Sequence, residues 1–434
     1  MKPVTAAAAP ASQDRVGYLR DVCRLLWPAP AQAVLTSARP VAGRGDDSRR
    51  RLAARGPQDG GMLVLPGLSR PRLVVPRDRR AAAAAVRRYG EPGSARIRLA
   101  TSALSATLAS GLGSLVLRDR IIVRVPAGAQ TIESHLSSVL GQRIQVSFHL
   151  GAARANRKPV LQLLTLSGET VGFAKISVNQ LTTRLVRAER EALDRLSTSG
   201  LTRLTVPRVI DLSRWHGMDV LVLSALPVWQ RRTQLRPGQL EEAVAEVARV
   251  SGVRCLPLDA SDYWRRLAAR IDDVGHGEAD NADGQHAMLR AALGRLPSLA
   301  GPTVLGFGSW HGDWTPWNMA CTRSGLLVWD WERFGAGAPV GFDALHYWLQ
   351  AEVVPGRSDP ARAAVECVRR APALLKPLGV TPAQARLTAL LYLADLSARY
   401  LADRQEQAGA ALGAPRRWLL PALTAAINEL PGKD

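Results

Sequence analysis

Lysine is nearly absent from this sequence. The 434-residue chain carries 57 basic side chains, and all but Lys2, Lys158, Lys175, Lys376 and Lys433 are arginine. Cysteine is as sparse. Cys23, Cys255, Cys321 and Cys367 stand far apart with no C-x-x-C or Cys/His metal spacing, which excludes a zinc module and a disulfide framework. Reduced thiols in a reducing compartment are expected. Long apolar runs are missing too. Asp14, Arg15, Arg20 and Asp21 interrupt the Ala-rich N-terminal stretch, so no secretory apolar segment forms there. Residues 99–117 hold too many Ser, Thr and Gly to span a bilayer. A cytoplasmic protein with no membrane association is the expectation.

What is present is enough apolar character, 47% of residues, to bury a sizeable core over two or three domains. A formal charge of +20 ordinarily marks a nucleic-acid or anionic-surface partner, because clustered cations release counterions on meeting phosphates. Here residues 1–140 hold 22 Lys and Arg against 9 Asp and Glu, so the excess is concentrated in the first third. An Ala-, Gly- and Arg-heavy chain of this kind is better explained by genomic base composition, and nucleic acid is not expected as a partner.

The first 130 residues read as an α/β extension. An amphipathic helix covers 16–27, strand-like runs cover 62–65 and 73–75, an Ala-rich helix covers 79–89, and 115–125 reads as a strand pair turning at Arg118 and Asp119. Residues 40–61, rich in Gly, Arg and Asp, read as a mobile linker. From 131 to 227 the pattern is β-rich: a short helix capped by Thr131 and Glu133, strands at 144–150, 160–166 and 170–178, a helix at 182–196 and a strand at 218–223. Ser167-Gly168-Glu169 supplies a hairpin turn. Residues 228–434 are helix-rich. No repeat period is found. The fold class expected is α+β, a β-rich lobe followed by a helical lobe.

The densest chemistry lies in His311-Gly312-Asp313-Trp314-Thr315-Pro316-Trp317-Asn318, followed after a short hairpin by Leu326-Leu327-Val328-Trp329-Asp330-Trp331-Glu332. Phosphoryl transfer to a hydroxyl requires a carboxylate that orients and deprotonates the acceptor, and oxygen ligands for Mg²⁺ on the nucleotide phosphates. Asp313 can supply the first. Asn318 and Asp330 can supply the ligands.

This pattern resembles the aminoglycoside phosphotransferase and choline kinase-like family, within the protein-kinase-like fold, whose hallmark is H-G-D-x-x-x-x-N followed by an apolar strand and an Asp. Gly337, Pro339 and Asp343 resemble the family's G-x-P-x-x-D segment with one extra residue. The resemblance implies an ATP- and Mg²⁺-dependent kinase of a small-molecule alcohol, with Asp313 catalytic and Asn318 and Asp330 holding metal. The net charge of +20 and the tryptophans around this motif fit a hydroxylated metabolite or glycan precursor as the acceptor better than a polycation. His311 is expected to support the loop.

It also implies a strand lysine on the nucleotide phosphates, held by a helix glutamate. Lys175 lies in such a strand, and Glu189 or Glu191 is its partner; Leu193 and Leu196 at i+4 and i+7 favour Glu189. Backbone groups of Ser224, Ala225 and Leu226 correspond to the segment that binds the adenine edge. Residues 150–158 occupy the place of the phosphate-covering loop without its glycines, so Arg154, Arg157 or Lys158 meets phosphate or the stretch is a solvated basic turn. Gly312 stands where many protein kinases have arginine, and no A-P-E follows Asp330, both of which favour a small-molecule kinase. Trp310, Trp314, Trp317, Trp329, Trp331 and Trp348 crowd this region; they are candidates for stacking on an acceptor, with Trp329 read as core. The acidic run 272–283 is either an acceptor contact or a solvated loop. The runner-up reading is a nucleotide-binding pseudokinase that docks a protein partner through its extension.

Overall fold

The computed structural model describes residues 9–37, 60–90, 95–113, 117–274 and 284–429. Its strands are β1 (Gln32–Ser37), β2 (Gly60–Leu65), β3 (Leu73–Pro76), β4 (Asp119–Arg124), β5 (Gln145–His149), β6 (Val160–Leu164), β7 (Thr170–Ile176) and β8 (Leu204–Thr205). There follow β9 (Val209–Trp215), β10 (Met218–Ser224), β11 (Arg254–Pro257), β12 (Val304–Trp310), β13 (Met319–Thr322), β14 (Gly325–Val328) and β15 (Gly335–Pro339). The helices are α1 (Ala9–Leu26), α2 (Arg79–Gly90), α3 (Ala95–Ala109), α4 (Ile132–Leu140), α5 (Gln180–Ser197) and α6 (Gln239–Arg249). The later ones are α7 (Asp262–Val274), α8 (Gln285–Ala300), α9 (Phe342–Val353), α10 (Pro360–Leu375), α11 (Pro382–Ala402) and α12 (Leu419–Asn428). The α+β class expected from the sequence is the one found.

The chain divides into two compact units, the first comprising 1–152, 157–179 and 209–225 and the second 153–156, 180–208 and 226–434. The first is built on one antiparallel sheet of nine strands in the order β1-β4-β2-β3-β5-β6-β7-β10-β9. The strands of the extension lie in this sheet. β3 pairs with β5 through Leu73↔His149 and Val74↔Phe148, which places the extension's four strands in the same sheet as β5 to β10.

Alternation along the strands explains how helices cover both faces. Met62, Val64 and Val74 pack with Leu19, Val22 and Leu26 of α1 and Ile132 and Leu136 of α4. Their neighbours Leu63, Leu65, Leu73 and Val75 pack with the alanines of α2 and Leu108 of α3. Alanine suits that second face because it lets α2 approach the sheet closely.

Two local expectations change. Residues 119–124 form one strand, and Asp119 begins it, its carboxylate accepting the Leu68 N–H at 2.6 Å instead of shaping a turn; residues 114–116, where the first arm of the expected pair falls, lie outside the described residues. At α4 the capping box is completed by Ser134, not Glu133. Glu133 instead accepts the indole N–H of Trp27 at 3.0 and 3.2 Å, a partner 106 residues away that local spacing cannot reveal. The linker read at 40–61 lies outside the described residues, apart from Gly60 and Gly61, which open β2.

The second unit holds α5 to α12 and two small sheets, β11-β12-β15 and β13-β14-β8. Its core surrounds α11, which starts on signals legible in sequence: Thr381 and Gln384 form a capping box with Pro382 at the first helical position. Leu387, Leu390, Leu391, Leu393 and Leu396 bury the helix on several sides. All four cysteines are free thiols. No helix among the described residues is long and apolar enough to cross a membrane.

Candidate active site

β12 delivers the chain to His311, and the β13–β14 hairpin returns it to Asp330. The turn between them is held from behind. Asp343, in the first turn of α9, accepts the backbone N–H of His311 at 2.7 Å and of Gly312 at 3.1 Å. Burial pushes its carboxyl up to about 7 despite those two donors. His311 is fully buried, receives the Asp313 N–H on Nδ1 at 3.1 Å and donates Nε2–H to the Trp329 carbonyl at 3.1 Å. That pair of bonds fixes one neutral tautomer, and burial lowers its pKa to about 4. Supporting the loop is thus what His311 does.

Gly312 has φ +84°, and a Cβ there would lie 2.2 Å from the Arg333 carbonyl oxygen. Glycine is required by this close approach, a local reason for what the sequence comparison read only as loss of an arginine. Gly312→Ala is expected to cost about 1–2 kcal/mol from the left-handed backbone alone, with the clash added, and to lower the midpoint of thermal unfolding. An unfolding curve identical to that of the unaltered protein would refute this account of the turn.

Asp313 emerges from this support with 35% of its side-chain surface exposed. Each carboxylate oxygen receives a donor: Oδ1 lies 3.0 Å from His346 Nε2, and Oδ2 accepts Asn318 Nδ2–H at 3.1 Å. The same Asn318 amide donates to the Asp313 carbonyl at 2.9 Å, so its Oδ1 is the atom left for another partner. Desolvation is the largest single influence on Asp313 and acts to raise its pKa, but the hydrogen bond from His346, together with the Arg399 guanidinium, outweighs it and holds the carboxyl below its usual range.

Asp330 sits at φ +72°, a left-handed conformation rare outside glycine and a mark of strain found at functional positions. Carboxylate oxygens of Glu189, Asp330 and Glu332 all lie within 4.8 Å of one another. Glu332, which sequence reasoning did not single out, also accepts from Asn156 Nδ2 at 3.2 Å. Oxygen donors of this number and charge fit a hard divalent cation.

Of the two helix glutamates left open by spacing, Glu189 is wholly buried and accepts the Trp331 backbone N–H at 3.2 Å, whereas Glu191 is exposed. Lys175, in the first unit, is buried in β7 and paired across strands with Leu221 and Val160. Ser224 ends β10, and the Leu226 carbonyl is taken by the Val228 N–H at 2.8 Å. In the stretch read as a phosphate-covering loop, the Arg157 guanidinium lies over the Tyr18 ring at 3.8 Å, and the Ala155 N–H donates to Gln405 at 3.2 Å.

The tryptophans need correction. Trp314 and Trp331 are fully buried against His311, with ring centroids 5.7 and 4.3 Å from it, so neither can stack on an acceptor. Trp317, 39% exposed, keeps an open face. Most of the acidic run at 272–283 lies outside the described residues.

His346, Tyr392 and Arg399 were not found from sequence. His346 Nδ1 lies 2.9 Å from the Tyr392 hydroxyl, and Arg399 donates to the Gly312 carbonyl. A signal was present in α11: Tyr392, Asp395 and Arg399 recur at three- and four-residue spacing, continued by the C-cap Asp403, in the Leu- and Ala-rich part of the helix.

Residues 172–366 match the model of the phosphotransferase enzyme family APH. Comparison with curated proteins gives no match. Among solved structures, a thermostable mutant of an aminoglycoside phosphotransferase is similar over 69% of this chain and 100% of its own, at 14% identity and a TM-score of 0.45. An aminoglycoside phosphotransferase solved with streptomycin and ATP matches over 59% and 96%, at 12% identity and a TM-score of 0.33. A choline/ethanolamine kinase family protein from Mesorhizobium loti matches over 65% and 92%, at 17% identity and a TM-score of 0.34. The family whose model residues 172–366 match is the one that the H-G-D-x-x-x-x-N motif resembles.

Proposed function

We propose that the protein transfers the γ-phosphoryl group of ATP to a hydroxyl of a small molecule, with Asp313 as the catalytic carboxylate. The observation that carries this reading is the state of Asp313: ionised, partly open, and aligned by one donor on each oxygen beside a cluster of further carboxylates. Phosphoryl transfer demands positioning and charge neutralisation more than strong basicity, so an oriented acceptor of the hydroxyl proton suffices. Asn318, through Oδ1, and Asp330 are the residues that would hold Mg²⁺, and Glu332 is placed to join them. The ion, when bound, neutralises charge on the nucleotide phosphates. Lys175 supplies a cation for those phosphates, and backbone groups of Ser224, Ala225 and Leu226 meet the adenine edge. A pseudokinase is disfavoured because Asp313, Asn318 and Asp330 are all intact.

The acceptor we infer is a hydroxylated metabolite or glycan precursor, not an aminoglycoside. Polycations require several convergent, uncommitted carboxylates. In the second unit Asp403 is bonded to Arg333, Asp395 to Arg270 at 2.8 Å, and Glu406 to Arg416 at 2.9 Å, so these acidic groups already have cations. Expression in a sensitive host is expected to confer no aminoglycoside resistance. Strong resistance that disappears with Asp313→Asn would replace this acceptor class while keeping the chemistry.

A further inference from the structure

We propose that His346, backed by Tyr392, is the residue that positions Asp313 for the reaction, an inference that rests on Asp313 being the catalytic carboxylate. His346 lies one turn into α9, three residues after the Asp343 that ties down the loop. Its side chain is buried, and it touches the reacting carboxylate directly, 3.0 Å from Oδ1.

The hydrogen-bond arithmetic admits one arrangement. An ionised carboxylate has no proton to give, so Nε2 carries the hydrogen and donates it to Asp313. Nδ1 of a neutral ring then has a lone pair, and the Tyr392 hydroxyl, 2.9 Å away, donates to it. Burial, opposed by Asp313, lowers the pKa of His346 and keeps the ring neutral. Directed bonds therefore run from Tyr392 to His346 to Asp313, while Asn318 serves the other oxygen. Two donors on opposite oxygens fix the plane of the carboxylate, which one donor alone would leave free to rotate.

The chain of bonds is anchored in the core of the second unit. Tyr392 is fully buried in α11, with its ring 5.7 Å from that of Phe342. Two turns on, Arg399 reaches from the same helix to the Gly312 carbonyl. Thus α11 grips the segment twice, at the backbone through Arg399 and at the carboxylate through His346. Nothing in this arrangement makes His346 touch an acceptor or a nucleotide. Its part is geometric.

Steady-state phosphate release from MgATP with water as acceptor tests the proposal, using His346→Leu, His346→Gln and Tyr392→Phe, each checked by thermal unfolding. His346→Leu removes the donor and is expected to lower kcat about 10- to 100-fold, the effect of an ångström-scale misplacement, with KM for MgATP unchanged. His346→Gln keeps an N–H near the Nε2 position and is expected to recover most of that loss; Tyr392→Phe should fall between. Unchanged kcat in His346→Leu, an equal loss in the Gln and Leu variants, or a change confined to KM would each overturn it. Nuclear magnetic resonance of ¹⁵N-histidine-labelled protein gives a readout independent of turnover. A downfield Nε2–H proton of His346 that vanishes in Asp313→Ala supports the bond, and a resonance indifferent to Asp313 overturns it. Failure of the underlying reading looks different: Asp313→Asn would then turn over as fast as the unaltered protein while the histidine resonance still reported the contact.

Discussion

Asp313→Asn should lower turnover by roughly 10² to 10⁴, the usual contribution of a positioned acid–base group, while MgATP still binds. The substitution preserves size but not hydrogen-bond character. His346 and Asn318 both present donors to residue 313, and an amide has only one acceptor oxygen, so its NH₂ must face one of them. A stability loss of about 1–3 kcal/mol is expected from that unsatisfied donor, small enough for the variant to remain folded. Calorimetry with MgATP and a thermal unfolding curve separate the two effects. Turnover within a factor of a few of the unaltered protein would remove Asp313 from the mechanism.

Asp330→Ala should abolish Mg²⁺-dependent nucleotide binding, since a hard cation would lose a charged oxygen ligand at a short, fixed distance from the others. The left-handed backbone at Asp330 complicates alanine, which disfavours that conformation by about 1–2 kcal/mol. Asp330→Asn is the companion variant, because asparagine tolerates φ +72° and removes only the charge. Both should lose the difference between nucleotide affinity measured with Mg²⁺ and with chelator. If calorimetry finds that difference unchanged in both, the metal is held elsewhere. Glu332, within 4.8 Å of Asp330 and Glu189, is then the residue to alter next.

The candidate site residues named from the sequence are those written in short range. Asp313, Asn318 and Asp330 belong to one β-hairpin and its approach, so their order and spacing nearly determine their arrangement. Glu189 was preferred over Glu191 because Leu193 and Leu196 follow it at helical spacing, and α5 does bury that face. The residues that position the site were hidden for the opposite reason. His346 is 33 residues from Asp313 and Tyr392 is 46 from His346, and only the packing of α9 on α11 makes them neighbours. A polar stripe along a Leu- and Ala-rich helix was the available clue.

The same contrast holds for the fold. Strands at 62–65 and 73–75 were legible from their β-branched and apolar runs, but their membership of the nine-stranded sheet depends on β3 meeting β5 some 75 residues away in sequence. Trp314 and Trp331 misled because a tryptophan beside a catalytic motif offers the same letters whether it faces an acceptor or the core. Their burial against His311 is a property of the folded hairpin. Asp119 and Glu133 were assigned local turn and capping roles, yet each is held by a distant partner, Leu68 and Trp27 respectively.

The most direct measurement follows the γ-phosphoryl group itself. Wild-type protein and Asp313→Asn are incubated with γ-labelled ATP, Mg²⁺ and a metabolite extract, and the labelled products are identified by mass spectrometry. The account predicts a phosphate ester on a hydroxylated small molecule that forms with the wild type and is lost or reduced at least a hundredfold in the variant. An ester formed equally by both proteins, or a wild type that binds MgATP yet labels no small molecule, would contradict it.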